Sequence, residues 1–228
     1  KFDANGSEKS NPLGLVTGDF HAQQADPLSL KATKEMIRFF EPDKVVLNDF
    51  FDGASVNHHE MNSAAKFAFA PSIEQERDVT LKLLREFSRI SKEVIYMQSN
   101  HDNFLYKFLD SSDRYWRLNN NYQISCELQS YRLRTGNHPI VKLLEFDSFE
   151  NLTFVKERDN YYIGKVLIKH GHEGVSGTRA GFTALAKVYN YYCQGHNHNP
   201  SVFRNAVSVG TNARRDMDYM LGADGVMP

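Results

Sequence analysis

Residues 93–102 read EVIYMQSNHD, an apolar run that leads directly into side chains able to carry chemistry. The apolar part, Val94–Met97, is typical of a short buried β-strand. The polar part, residues 100–102, supplies an amide, an imidazole and a carboxylate in a row. Because ligands bind beyond the carboxyl ends of the strands in open α/β sheets, this stretch predicts a functional site at the end of a strand.

The same pattern, an apolar run followed by a polar cluster, occurs five times along the chain. We predict the five strands at residues 13–17, 44–48, 93–98, 161–169 and 191–194. Asp26 and Pro27 predict the start of a helix after the first strand, and the capping-box sequence Ser72–Gln75 predicts another helix after the second. This alternation of strands and helices indicates an α/β fold with its site at one edge of a sheet.

The composition excludes several classes of protein. Among 228 residues there are 27 Lys and Arg against 28 Asp and Glu, so neither a polycationic nucleic-acid sleeve nor an acidic tail is expected. No run approaches the roughly 20 apolar residues that span a bilayer, so no membrane partner is expected. With only Cys126 and Cys193, a disulfide framework is excluded and a cytoplasmic location is the economical expectation.

The chain divides into a short leader and one domain. Residues 1–11 are polar and aperiodic, which predicts a flexible leader or linker, and residues 12–228 are interpreted as a single domain. Residues 103–160 are rich in Tyr, Arg and Asn and interrupt the strand–helix rhythm. We interpret this stretch as an insertion or cap.

Histidines and acidic residues concentrate in the five polar clusters. The clusters hold His21, His101, His170, His172, His196 and His198, alongside Asp19, Asp49, Asp52, Asn100 and Asp102. A lone histidine is more often a surface or hydrogen-bonded core residue. A random distribution of histidines would not put six of them in polar clusters that follow apolar runs. Imidazole, carboxylate and amide groups without thiolates suit Mn, Fe or Zn better than Ca, and their number exceeds the needs of one metal.

In order along the chain, the clusters resemble the five motifs of calcineurin-like metallophosphoesterases. The matching segments are Asp19–His21, Asn48–Asp52, Ser99–Asp102, His170–His172 and Gly195–His198. The resemblance spans about residues 13–210 and implies a sandwich of two central β-sheets flanked by helices, with metals at the carboxyl ends of the strands. Asn48 and Ser99 depart from the pattern, because the family commonly has glycine there, which affects the expected loop geometry rather than ligation.

The resemblance also implies a set of ligands for two divalent metal ions, with Mn preferred and Fe, Zn or Mg as alternatives. One metal would be held by Asp19, His21 and His198, the other by Asn100, His170 and His196, with Asp49 as the bridge. Two neighbouring cations need a shared anion, and the pair can clamp a phosphoryl group that a bridging hydroxide attacks. His101 is then the catalytic residue that stabilises the transition state or protonates the leaving oxygen, and Asp102 would orient its imidazole.

Three neighbouring groups stay outside the predicted ligand set. Asp52 is open between a hydrogen-bond acceptor for a ligating histidine and a turn residue beside Gly53. His172 is left out because it lies two residues beyond His170. The triplet at residues 58–60, His-His-Glu, is interpreted as solvated or facing substrate rather than as a third metal set.

The first functional hypothesis is a phosphodiesterase or nuclease that acts on DNA or RNA. Arginines interleaved with aromatic residues between 114 and 134 suit a nucleic-acid strand, and the candidate substrate-binding residues are Arg114, Arg117, Arg132 and Arg134. An equal alternative is that the aromatic residues pack a small core while the arginines stay solvated. The rival functions are a phosphomonoesterase or protein phosphatase and, from another class, a metal-binding interaction module without catalysis.

Overall fold

A computed structural model describes residues 12–57, 70–111, 121–174 and 181–214. Its first sheet is parallel and consists, in spatial order, of β1 (Gly14–Asp19), β2 (Lys44–Asn48), β3 (Val94–Met97) and β4 (Leu152–Val155). The second sheet consists, in spatial order, of β5 (Tyr161–Ile163), β6 (Val166–Lys169), β7 (Tyr192–Gln194), β9 (Ala206–Ser208) and β8 (Ser201–Phe203). Its three inner strands are parallel, and the two edge strands are antiparallel to their neighbours.

Four of the five predicted strands are confirmed, with bounds that shift by one or two residues. The single strand predicted over residues 161–169 is wrong, because the chain forms a hairpin in which Ile163 pairs with Val166. Gly164 lies in the left-handed region with φ 59° at this reversal. Glycine has no Cβ to oppose that conformation, which tight hairpin turns need.

The helices among the described residues are α1 (Pro27–Phe40), α2 (Ile73–Ile90), α3 (Asp102–Asp110), α4 (Tyr122–Thr135), α5 (Pro139–Leu143) and α6 (Phe182–Val188), with 3-10 turns at Ala22–Gln24, Ala54–Val56 and Phe146–Ser148. Both predicted helix starts are confirmed. Asp26 accepts the backbone N–H of Ser29 (2.8 Å) before α1, and Ser72 and Gln75 form a capping box before α2. No helix in the described ranges has the length and apolar character required to cross a membrane.

The two sheets pack face to face between layers of helices. Along β2, Val45 and Leu47 belong to the apolar cluster shared with α1–α5, whereas Val46 belongs to the cluster between the sheets. This alternation follows from the two-residue period of a strand. On the far side of the second sheet, Leu185 of α6 packs with Tyr192 of β7. The result is a mixed α/β sandwich.

The interpretation of residues 103–160 as an insertion or cap is wrong for its final part. Leu152–Val155 forms β4, which pairs with β3 as the fourth strand of the first sheet. The helices before it bury Phe104, Ile124 and Ile140 in the same cluster as β2 and β3. Because polar residues separate these apolar side chains in the sequence, no continuous apolar pattern predicts that the segment completes the main core. The predicted leader at residues 1–11 lies outside the described residues.

The ends of the two sheets meet at one edge. Asp19, the last residue of β1, forms an isolated bridge with Thr211, and its N–H donates to the carbonyl oxygen of Gly210 (3.2 Å). The N–H of His196, after β7, donates to Asp19 Oδ1 (3.0 Å). The five polar clusters identified in the sequence therefore lie at the end of the sandwich where these loops converge.

Candidate metal centre

Three of the polar clusters each contain a residue with a backbone conformation that is uncommon for side chains with a Cβ. His21, Asp49 and His196 have φ values of 43°, 41° and 58°, all in the left-handed region. Each belongs to the ligand set implied by the resemblance. Backbone strain of this kind persists where the surrounding structure fixes it and clusters at functional sites, so it directs attention to these three loops.

The two departures from the glycine pattern do not strain the loops. Neither Asn48 nor Ser99 has a positive φ. Asn48 Nδ2 donates to the carbonyl oxygen of Thr17 (3.0 Å), and Ser99 Oγ accepts the N–H of Asp102 (3.3 Å). Both side chains instead add hydrogen bonds that hold their loops.

Asp19, His21 and His198 converge on one point. Their potential ligand atoms lie within 4.8 Å of one another. The Nε2 atoms of His21 and His198 are 3.4 Å apart, and Nε2 of His198 lies 3.5 Å from Asp19 Oδ2. Two ring nitrogens and a carboxylate oxygen facing one another suit a shared cation.

The carboxylate of Asp49 lies at the middle of the centre and is buried. Its Oδ2 is 3.6 Å from Nε2 of His21, 3.7 Å from Nε2 of His101 and 3.9 Å from Nε2 of His170. No other carboxylate among the described residues is this close to three imidazoles.

A second group lies on the other side of Asp49. Nε2 of His170 is 2.7 Å from Oδ1 of Asn100, and ligand atoms of Asp19, Asp49 and His170 lie within 4.8 Å of one another. The ring of His196 is next to that of His170, with centroids 5.1 Å apart. All seven predicted ligands are thus in one place, and their assignment to two ions stays a prediction.

The hydrogen bonding of this centre fits a cation. Asp19 Oδ2, Asp49 Oδ1 and His170 Nδ1 are buried and have no hydrogen-bond partner. Leaving such groups unpaired costs about 1–3 kcal/mol each. A metal ion bound to the carboxylates and to neighbouring ring nitrogens would remove much of that cost, so these buried His and Asp clusters could hold a metal ion.

The charges inside the centre shift several pKa values. Burial and the nearby charge of Asp49 raise the pKa of Asp19 to about 8. Burial acts to lower the pKa of His21, but the carboxylates of Asp49 and Asp52 outweigh it and raise that pKa to about 9. Burial lowers the pKa of His198 to about 4. A cation entering the centre would therefore compete with protons held by Asp19 and His21.

Asp52 is a hydrogen-bond acceptor for His21 through its carboxylate and for His101 through its backbone oxygen, which decides between the two roles that the sequence left open. Its Oδ1 lies 3.0 Å from Nδ1 of His21, so the Nδ1–H of that ring donates to Asp52 and Nε2 faces the centre. The backbone oxygen of Asp52 accepts the Nδ1–H of His101 (2.5 Å). Because a carbonyl can only accept, this bond fixes the tautomer of His101 and directs its Nε2 toward Asp49.

The predicted role of Asp102 in orienting His101 is wrong. Asp102 is fully buried, and its oxygens accept the hydroxyl of Tyr96 (2.8 Å) and the N–H of Ser99 (2.9 Å). Burial raises its pKa to about 8. Asp102 begins α3, so its carboxyl group faces back toward β3 and secures the loop that presents Asn100 and His101.

His172 lies closer to the centre than the sequence analysis allowed. Its ring centroid is 5.3 Å from that of His170 and 5.7 Å from that of His196. Residues two apart in a strand share a face, so their spacing gave no reason to separate them. His172 Nε2 pairs with Glu157, a residue after β4 that the sequence did not single out. No motif marks Glu157, because its partner is distant in sequence.

Of the four candidate substrate-binding arginines, Arg114 and Arg117 lie outside the described residues. The guanidinium of Arg132 stacks over the ring of Tyr106 at 4.4 Å and pairs with Asp110. Arg134 is exposed near the end of α4 and donates to the carbonyl oxygen of Ser130 (3.3 Å). Arg132 therefore takes part in packing α3 against α4.

The triplet at residues 58–60, like Arg114 and Arg117, lies outside the described residues.

Fold and centre together define an α/β protein with a buried histidine–carboxylate cluster suited to metal ions. No family model matches the chain. The chain is similar to Protein A1 of Escherichia phage T5, with 25% identity over 239 aligned residues that cover 92% of this chain. It spans 42% of the length of that relative.

Proposed function

We propose that this protein is a metal-dependent phosphoester hydrolase of the calcineurin-like metallophosphoesterase type. The observation that carries the proposal is the position of Asp49, whose Oδ2 lies 3.6–3.9 Å from Nε2 of His21, His101 and His170. A buried carboxylate between two groups of ligands suits a pair of cations that share it. Such a pair is the arrangement that clamps a phosphoryl group during hydrolysis.

The residues present fit two divalent ions, with Mn preferred and Fe, Zn or Mg as alternatives. One ion would be held by Asp19, His21 and His198 and the other by Asn100, His170 and His196, with Asp49 shared. When bound, the ions would supply Lewis-acid activation of the phosphoryl group and of water. Imidazole, carboxylate and amide ligands together favour Mn over Ca, which takes oxygen ligands alone.

His101 is the proposed catalytic residue. Its Nδ1–H is held by the backbone oxygen of Asp52, and its Nε2 faces the centre 3.7 Å from Asp49 Oδ2. The side chain is 15% exposed, so a substrate can reach it. From this position, Nε2 of His101 can deliver a proton to the leaving oxygen or stabilise charge in the transition state.

We place phosphodiesterase before phosphomonoesterase or protein phosphatase. The order rests on the arginine and aromatic side chains between residues 114 and 134, a combination that suits a nucleic-acid strand.

Nucleic acid is the proposed source of the diester. Arg134 is exposed and remains a candidate for a phosphate contact, together with Arg114 and Arg117. Arg132 is not, because its guanidinium is already bound to Tyr106 and Asp110. The single substitution of Arg134 should therefore weaken binding of a polynucleotide, whereas substitution of Arg132 should lower the free energy of unfolding.

One parallel assay tests the proposal. The full chain with Mn²⁺ is incubated with single- and double-stranded DNA, RNA, bis(p-nitrophenyl) phosphate and p-nitrophenyl phosphate, with His101→Ala as the control. We expect diester hydrolysis that depends on Mn²⁺ and on His101. Faster turnover of the monoester would favour the monoesterase alternative, and metal binding without turnover of any ester would indicate an interaction module.

A further inference from the structure

A second group of potential ligands lies beside the centre, in a cavity of about 500 Å³. Glu157 follows β4, and His172 and Glu173 follow β6, so the group joins loops of both sheets. One ligand atom from each of the three residues lies within 4.8 Å of the others. We name this group the Glu157–His172–Glu173 cluster. None of its members belongs to the ligand set of the centre.

No Lys or Arg in the described ranges forms an ion pair with the carboxylates of the cluster. Both carboxylates converge on the imidazole of His172, whose Nε2 pairs with Glu157. Lys169 and Arg158 line the same cavity, and their charges act on the carboxylates only from a distance. Nδ1 of His172 is buried without a hydrogen-bond partner. A divalent cation would bind both carboxylates directly, and the cavity has room for the waters that complete its coordination.

Glu157 is also fixed in place before any ligand binds. Its Oε2 accepts the amide of Asn103 (2.7 Å), and its backbone N–H donates to Oε1 of Gln98 (3.2 Å). Gln98 in turn donates to Oδ1 of Asn103 (2.9 Å). Supporting hydrogen bonds of this kind orient carboxylates that bind metals.

We propose that Glu157, His172 and Glu173 form a separate binding site for a divalent cation such as Mn²⁺. Two carboxylates and one imidazole are ligands that Mn²⁺ accepts, and the open cavity leaves its remaining positions to water. The site does not depend on the reaction proposed for the main centre. It adds one cation to those held there.

The test counts bound Mn²⁺ by equilibrium dialysis of the full chain. Glu173→Gln removes one charge from the cluster and keeps the shape of the side chain. Glu150→Gln is the matched control, because Glu150 is an exposed carboxylate outside both groups. Glu157→Gln is a second variant, and circular dichroism checks that each protein is folded. Asp49→Asn in the same assay reports on the main centre.

We expect Glu173→Gln and Glu157→Gln each to lose one bound Mn²⁺ relative to the wild type and to Glu150→Gln. The Mn²⁺ ions lost in Asp49→Asn should be those of the main centre. The double variant Asp49→Asn/Glu173→Gln should therefore lose as many Mn²⁺ ions as the two single variants lose together. If folded Glu173→Gln and Glu157→Gln bind as many ions as the wild type with equal affinity, the cluster is an ion pair and the proposal is overturned. Failure of the main centre alone would leave the Glu173→Gln difference intact.

Discussion

Asp52→Asn is expected to weaken binding of metal at the main centre. Asp52 Oδ1 lies 3.0 Å from Nδ1 of His21, and both side chains are buried, so the charge of the carboxylate acts on the ring with little screening. Asparagine keeps an acceptor for that Nδ1–H but removes the charge. Loss of a partner of a ligating histidine typically weakens metal affinity about 10–100-fold. That factor corresponds to about 1.4–2.8 kcal/mol.

Asp102→Asn is the matched control for this experiment. Asp102 is also a buried carboxyl group in one of the five clusters, but it bonds to Tyr96 and Ser99 and to no histidine. Because burial raises its pKa to about 8, the group is mostly neutral at pH 7 and a neutral amide is a mild change. We expect its metal affinity to fall less than that of Asp52→Asn, because Asp102 supports the loop that presents Asn100 but contacts no ligating histidine.

The assay is equilibrium dialysis against Mn²⁺ at pH 7, with urea unfolding of the metal-free proteins as a check on stability. We expect a larger loss of Mn²⁺ affinity in Asp52→Asn than in Asp102→Asn. If Asp102→Asn weakens binding as much as Asp52→Asn, the hydrogen bonds that assign the orienting role to Asp52 do not govern the histidines.

Three further predictions follow from the centre. His101→Ala should retain its bound metal and lose about 10²–10⁴-fold in rate with a poor leaving group but less with a nitrophenyl ester; equal losses on both esters would exclude proton donation. Affinity for Mn²⁺ should rise as the pH increases from 7 to 9, because the metal displaces protons from Asp19 and His21, whose pKa values are raised to about 8 and about 9. Calorimetry in buffers of different ionisation enthalpy measures that release, and zero release would contradict it. Gly195→Ala should weaken metal binding, because its Cβ would contact the Asp19 carboxylate and come within 2.9 Å of Asn48 Cβ; Gly181→Ala, which has open space, should not.

The sequence predicts the position of the centre well, because apolar runs that end abruptly in His and Asp mark where strands deliver side chains. Local patterns suffice for this, as at Ser99–Asp102 after β3. Local patterns do not suffice for residues 103–160. There, Leu152–Val155 forms a strand by pairing with β3, a contact that its own sequence does not predict.

Which residues form the centre was easier to predict than which side chains they hydrogen-bond or pair with. Asp102 follows His101 directly in sequence, yet the start of α3 directs its carboxyl group toward Tyr96. Asp49, which directly follows β2, adopts a left-handed backbone conformation. No residue type in that loop predicts this conformation. Glu157 meets His172 only through the packing of the two sheets, which no local pattern encodes.

The most direct test of the central claim compares the wild type with Asp49→Asn in one preparation. Bound Mn²⁺ is counted and hydrolysis of bis(p-nitrophenyl) phosphate is measured on the same samples. Because Asp49 is the carboxylate between the two groups of ligands, we expect the variant to lose at least one Mn²⁺ and its phosphodiesterase activity together. An Asp49→Asn protein with wild-type metal content and wild-type rate would contradict the account.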